Sequence, residues 1–202
     1  MKMEPIRYKD ICIQRFQPAV DAIQRLIDQQ GDVLVAIDGR CASGKTTLGF
    51  YLQSVFRCNL FHMDDFFLRN EQRTSNRISE IGGNVDYERF KEEVLQPLIE
   101  KRTVNYRVFS CQTRTIVSEE EMPYCPVNII EGSYSQHPYF QDPYQLHVFL
   151  TIDQESQLKN IKERNGVEKL EDFKKLWIPK EEAYFKKFPV EKNSLVISWK
   201  YS

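Results

Sequence analysis

The chain has 202 residues, a net charge of -1 and a sequence pI of about 6.3. That length holds one sizeable core and would leave two independent domains cramped, so one domain is expected. The near-neutral balance excludes a global basic field for nucleic acid or an anionic membrane, so anionic ligands must be caught locally. Five cysteines (Cys12, Cys41, Cys58, Cys111 and Cys125) form no C-x-x-C pair and no zinc-ligand spacing, and read as reduced thiols. The first residues lack the apolar core of a signal peptide, and the longest apolar runs, such as VLVAI at 33–37, are too short to span a bilayer. A soluble, cytoplasmic protein is the expectation.

Pro18 is placed to open a first helix in which Val20, Ile23, Leu26 and Ile27 share a face, ending near Gly31. DVLVAID (32–38) is short and continuously apolar, the pattern of a buried strand. A helix follows over 46–56 and a second strand over 59–63. The polar stretch 69–84, with Gly82-Gly83, reads as a loop long enough to suspect function. Phe90, Val94, Leu95, Leu98 and Ile99 lie on one side of a third helix, with Pro97 as a kink.

TVNYRVFSCQTRTIVSEE (103–120) has the β-branched and aromatic content of one or two strands. PVNIIEG and LHVFLTID supply two more, residues 154–187 turn helical and lysine-rich, and LVISW (195–199) gives a last strand. Strands separated by helices predict a three-layer α/β domain with a largely parallel sheet.

Gly39-Arg40-Cys41-Ala42-Ser43-Gly44-Lys45-Thr46 fits G-x-x-x-x-G-K-[ST] without a mismatch, between a predicted strand and a predicted helix. The glycines let the backbone curl so that successive N–H groups and the helix start attract phosphate. Lys45 places a cation between the β- and γ-phosphates, the Thr46 hydroxyl suits Mg²⁺, and Thr47 continues the loop into the helix. These features predict a P-loop NTPase fold binding ATP on residues 39–47. Two strand ends offer a second acidic anchor for the metal: Glu131 after PVNII, and Asp64-Asp65 after NLFHM.

From Met63-Asp64-Asp65-Phe66-Phe67 onward the chain resembles the uridine kinase and phosphoribulokinase family of P-loop kinases, where D-S-F-Y or D-D-F-F follows the second strand. The D-D-F-F wording is also similar to nicotinamide riboside kinases. The resemblance implies that Asp64 takes the proton from the acceptor hydroxyl; a metal ligand through water is the other role open to it. Asn84-Val85-Asp86-Tyr87 resembles the N-F-D-H element whose aspartate holds ribose hydroxyls, although Asp86 also stands where the third helix wants an N-cap. Tyr106 with RVFSCQTR resembles the Y-D-F-x-x-H-S-R segment that shapes the nucleobase site. There Cys111 or Gln112 replaces the family histidine and Arg114 is displaced by one, leaving Gln112 as a donor and acceptor for some base or amide.

Ile129-Ile130-Glu131-Gly132 matches the family strand ending in E-G. QLKNIKER (157–164) resembles the start of a helical lid over roughly 154–188, in which Arg164 is the candidate cation for the migrating phosphoryl group, and Lys159, Lys162 and Lys169 read as a solvated face. WIPKEEAYFKKFPV resembles the segment before the last strand, and Trp177, Tyr184, Phe185 and Phe188 are assigned to packing. The resemblance implies a kinase that uses ATP and Mg²⁺ to phosphorylate a small-molecule hydroxyl, with uridine or cytidine first among acceptors. Nicotinamide riboside, a sugar or pantothenate on the same fold, and a nucleotide-dependent switch or ATPase, are the alternatives. Nucleic acid and membrane are not expected partners. Related kinases are often oligomers, so a homo-oligomer is the remaining expectation, without an interface signature in the sequence.

Overall fold

The computed structural model describes residues 5–199; residues 1–4 and 200–202, and the side chain of Cys12, lie outside the described part. Helix α1 (Pro5–Gln30) is followed by β1 (Val33–Gly39), α2 (Lys45–Phe56) and β2 (Asn59–His62). A loop containing the short α3 (Ser75–Ser79) leads to helix α4 (residues 87–99) and to the strands β3 (Val104–Ser110) and β4 (Thr115–Met122). Strands β5 (Val127–Glu131) and β6 (Leu146–Ile152), helices α5 (Gln154–Asn165) and α6 (residues 167–187), and β7 (Leu195–Trp199) complete the chain.

The main sheet has the order β2-β5-β1-β6-β7 and every pairing in it is parallel. β1 lies at its centre and all seven of its residues are buried, which is why its sequence is apolar without alternation. Val33, Val35 and Ile37 face one layer with Phe16, Ile23, Leu48 and Leu52 of α1 and α2. Leu34 and Ala36 face the other, with Phe90, Val94 and Tyr184 of α4 and α6. The expected three-layer α/β arrangement is therefore present. β3 and β4 form a separate antiparallel hairpin, so the stretch 103–120 supplies two strands.

Three local readings are corrected. Pro18 does not open α1 but lies inside it, on the exposed side, where losing one backbone hydrogen bond is least costly. The loop 69–84 carries a turn of helix, α3, capped by the Thr74 hydroxyl, which accepts from the Arg77 N–H at 3.2 Å. Ile99 is not on the buried side of α4 but is 56% exposed. The reason is a wide π turn at Lys91–Leu95, which inserts a residue and rotates the last turn of the helix. A second π turn, Phe173–Trp177, precedes Pro179 as the first precedes Pro97. In both places the widened turn makes room for a proline ring that would crowd the carbonyl four residues back. Among the described residues no helix is long and apolar enough to cross a membrane, and Cys41, Cys58, Cys111 and Cys125 are free thiols.

Candidate active site

The site lies where β1, β5 and β2 end together, Ile37 and His62 both being in register with Glu131. β1 passes directly into residues 39–44. Gly39 has φ +134°, and a Cβ there would lie 2.0 Å from the carbonyl oxygen of Leu150, so only glycine allows the chain to leave the sheet so close to β6. Gly44 is also left-handed, and α2 starts at Lys45. The Lys45 ammonium is buried and donates to the carbonyls of Gly39 (2.7 Å) and Arg40 (3.0 Å), which holds it across the mouth of the loop.

The Thr46 hydroxyl donates to Glu131 Oε1 at 3.1 Å, and His62 Nδ1 lies 2.5 Å from the same oxygen. Burial opposes a charge on His62, but Glu131, with Asp65 and Asp64, outweighs it and raises the imidazole above its usual value. A hydroxyl and a carboxylate at the start of a phosphate-binding helix form a hard-oxygen donor set that fits Mg²⁺, which takes one or two protein ligands beside phosphate oxygens and water. Among the described residues no cluster of three or more His, Cys, Asp or Glu side chains could hold a metal by itself.

Asp64 sits in the turn Met63–Asp65 after β2, open to water. Its carboxyl is raised above the ordinary aspartate value by the protein mass around it and by Glu131, while Lys45 and Arg164 pull it down. Asp64 thus follows β2 at the sheet end where Thr46 meets Glu131. Arg164, in the last turn of α5, donates to Asn165 Oδ1 at 2.8 Å and lies 6.0 Å from the Phe173 ring.

The other predicted residues are placed differently. Tyr106 is buried, its hydroxyl accepting from the His62 N–H at 2.9 Å and donating to Asp65, so it fixes the turn that carries Asp64. Asp86 is fully buried; it caps α4 by accepting from the Arg89 N–H at 3.2 Å, and Arg69 lies 3.3 Å from its other oxygen. Gln112 and Arg114 belong to the exposed hairpin turn, where Arg114 has φ +56° and donates to Asn70 of the 69–84 loop at 2.9 Å. Partial burial raises the Cys111 thiol beside them, with the charge of Asp64 adding to it and Arg114 and Arg73 opposing.

Four residues escaped the sequence reading. Asp38, in β1, is fully buried and accepts from the N–H groups of Gly39, Tyr134 and Gln136 and from the Tyr184 hydroxyl. Burial pushes its carboxyl up to about 6, against the pull of Lys45 and these hydrogen bonds. Glu181 of α6 is buried against the loop and accepts from the Cys41 N–H at 2.9 Å. Arg89 is a buried cation that donates to the Asp65 carbonyl at 2.6 Å and stacks on Phe66. His62 is the fourth. For Asp38 the signal was an acid inside a continuously apolar strand; the others carry none in their neighbouring sequence.

A parallel sheet in this order, with a Gly39-to-Thr46 loop joining its central strand to α2, defines a P-loop kinase fold. The model of the shikimate kinase family matches residues 41–166, more than half of the chain, and the chain belongs to that family of P-loop kinases. No curated protein sequence matches it. Among solved structures it is similar to a "possible uridine kinase" of Bacillus stearothermophilus (TM-score 0.61, 20% identity, 89% of this chain and 99% of that one). It is also similar to a protein of Silicibacter sp. TM1040 described provisionally as a fructose transport system kinase (TM-score 0.67, 20% identity, 91% and 98%). A third, YFH7 of Saccharomyces cerevisiae, described provisionally as a P-loop containing kinase with a circular permutation, gives TM-score 0.65 at 12% identity over 93% and 100%. At these identities the likeness is one of fold.

Proposed function

We propose that this chain is an ATP- and Mg²⁺-dependent kinase that transfers the γ-phosphoryl group to a hydroxyl of a small molecule, a nucleoside such as uridine or cytidine being the first acceptor to try. The observation that carries the reading is that the Thr46 hydroxyl meets Glu131 at the end of β5, beside the loop whose carbonyls hold Lys45 and the turn after β2 that carries Asp64. On this reading, ATP lies on residues 39–47 with Lys45 at the β- and γ-phosphates. Asp64 accepts the proton of the attacking hydroxyl, and Arg164 meets the charge of the migrating group. Mg²⁺ held at Thr46 and Glu131 would neutralise phosphate charge. The chain acts as one domain with its lid at roughly 154–188, in the cytoplasm, alone or as a homo-oligomer, without nucleic acid or membrane.

A second reading keeps the chemistry and changes the acceptor to nicotinamide riboside, a sugar or pantothenate. The full burial of Asp86 under Arg69, and the commitment of the Tyr106 hydroxyl to His62 and Asp65, favour it, because both residues are then spent on structure rather than on a nucleoside. The names of the similar structures, a uridine kinase and a fructose transport system kinase, support a nucleoside or a sugar equally.

A coupled ADP-release assay with MgATP and a panel of uridine, cytidine, nicotinamide riboside, pantothenate and simple sugars tests the proposal. Acceptor-dependent release that disappears in Asp64→Asn is expected. Acceptor-independent hydrolysis that Asp64→Asn leaves unchanged would favour the switch or ATPase instead.

A further inference from the structure

The phosphate loop holds a non-glycine residue in the left-handed region: Ala42 has φ +58°. Such a conformation costs an L-residue about 1–2 kcal/mol and persists only where the surroundings over-determine it. The loop's own turn, the Ser43 N–H on the Arg40 carbonyl at 3.2 Å, is a weak restraint. The stronger restraint comes from the lid helices. Glu181 Oε2 accepts the Cys41 N–H at 2.9 Å, Gln157 Nε2 donates to the Cys41 carbonyl at 3.1 Å, and Asn160 Nδ2 donates to the Ala42 carbonyl at 3.1 Å. Both backbone polar groups of Cys41 are thus taken by side chains from two different helices.

Glu181 is the centre of this arrangement. It is only 4% exposed, and its second oxygen accepts from the Ser133 hydroxyl at 2.5 Å, so its position is fixed from the β5 side as well. Next to it, Glu182 pairs with Arg40 at 2.7 Å. A buried carboxylate facing a site meant for a triphosphate is electrostatically unfavourable unless its negative charge is used. Here it is used on a loop amide.

We propose that Glu181, with Gln157 and Asn160, is a positioning residue of the reaction: it braces Cys41 and Ala42 so that the loop is already in its phosphate-accepting shape before nucleotide arrives. The inference rests on the reading of residues 39–47 as the nucleotide loop. The anchored parts of α5 and α6 are, on this view, components of the loop rather than of a swinging cover. A preformed loop spares the nucleotide the cost of ordering it, so the brace acts on nucleotide affinity.

The test is calorimetric binding of the non-hydrolysable analogue MgAMP-PNP, with amide hydrogen exchange of residues 39–46 and the unfolding midpoint measured alongside. Glu181→Ala should weaken binding about tenfold or more, the scale of a hydrogen bond to a charged group, and speed exchange in the loop. Glu181→Gln, whose amide oxygen still accepts from Cys41, should stay within about threefold of the parent. Adding Ala42→Gly to Glu181→Ala should recover most of the loss, because glycine takes the left-handed conformation without strain. A merely structural glutamate would show no such rescue. If Glu181→Ala does not fold, Glu181→Asp, which draws the carboxylate back by one methylene, carries the same expectation and the same rescue.

Parental affinity in Glu181→Ala, or failure of Ala42→Gly to rescue, overturns the proposal. Failure of the parent protein itself to bind MgAMP-PNP would instead overturn the reading of the loop, and the exchange rates of residues 39–46 would still decide whether Glu181 braces it.

Discussion

The Tyr184 hydroxyl donates to Asp38 Oδ2 at 2.9 Å, joining α6 to the strand that feeds the phosphate loop. Asp38 has a folded pKa of about 6 against an ordinary 3.8, because burial disfavours its charge. The folded state therefore binds this proton more tightly. The contribution of Asp38 is greatest below pH 4 and falls by about 3 kcal/mol as pH rises through 6. Tyr184→Phe removes a hydrogen bond to the charged form and pushes the pKa higher still. It should destabilise the fold by about 2 kcal/mol above pH 6 and by less near pH 4, as read by denaturant titrations at both values.

Asp64→Asn should lower phosphoryl transfer by roughly 10²–10⁴-fold while leaving MgAMP-PNP binding nearly intact, since in the proposed role the carboxylate serves the acceptor hydroxyl rather than the nucleotide. Surrounding protein and Glu131 raise its pKa. The acid limb of kcat/KM should accordingly lie above the ordinary aspartate range, activity rising with pH as Asp64 loses its proton. A limb at or below that range would contradict the assignment.

Arg164 donates to Asn165 and lies over the ring of Phe173, with no ion pair among the described residues. Arg164→Ala should reduce kcat by about 10³-fold with a much smaller change in the KM for ATP, because in the proposed role the charge it meets develops in the transition state. Equal losses in both constants would mark it as a ground-state contact.

Gly39→Ala would put a methyl group 2.0 Å from the Leu150 carbonyl oxygen at a φ of +134°. Backbone strain and overpacking together should cost about 3 kcal/mol or more, seen as a lower unfolding midpoint before any assay of activity.

Pro18→Ala should act in the opposite direction. The proline sits on the exposed face of an unbroken helix, so alanine restores a backbone hydrogen bond and removes the ring's conflict with the preceding turn. A gain of about 1 kcal/mol or more is expected in chemical denaturation.

The legible parts of the sequence were those that nearest neighbours in the chain decide. The buried strand 32–38, the glycine-bounded loop and the start of α2 are contiguous, and each dictates the next. The five sheet strands likewise announce themselves as short apolar runs. Pro18 misled because a proline at a helix start and one tolerated on a wet helix face look alike without knowledge of burial. Ile99 misled because the π turn before Pro97 shifts the helical phase, which simple periodicity does not include. The partners of the phosphate loop were out of reach for another reason: Glu181 meets Cys41 across 140 positions, and in its own segment it is one charged residue among many. Asp86 shows the converse, a residue with two local readings, of which the structure displays the helix cap.

The strand order has a consequence for how the chain is made. β1 has β5 and β6 as neighbours, and Val33 finds its partner only at Val127, Val35 only at Ile129 and Leu146. β2, the next strand to emerge from the ribosome, also pairs with β5 and leaves β1 unzipped. During synthesis the central strand, all seven of whose residues end up buried, must wait with both edges bare until well over half the polypeptide has been translated. Sheets closed by such distant pairings fold slowly. Nascent chains halted before residue 127 should thus be the species that needs chaperones, and rapid overexpression the condition that most exposes them to aggregation.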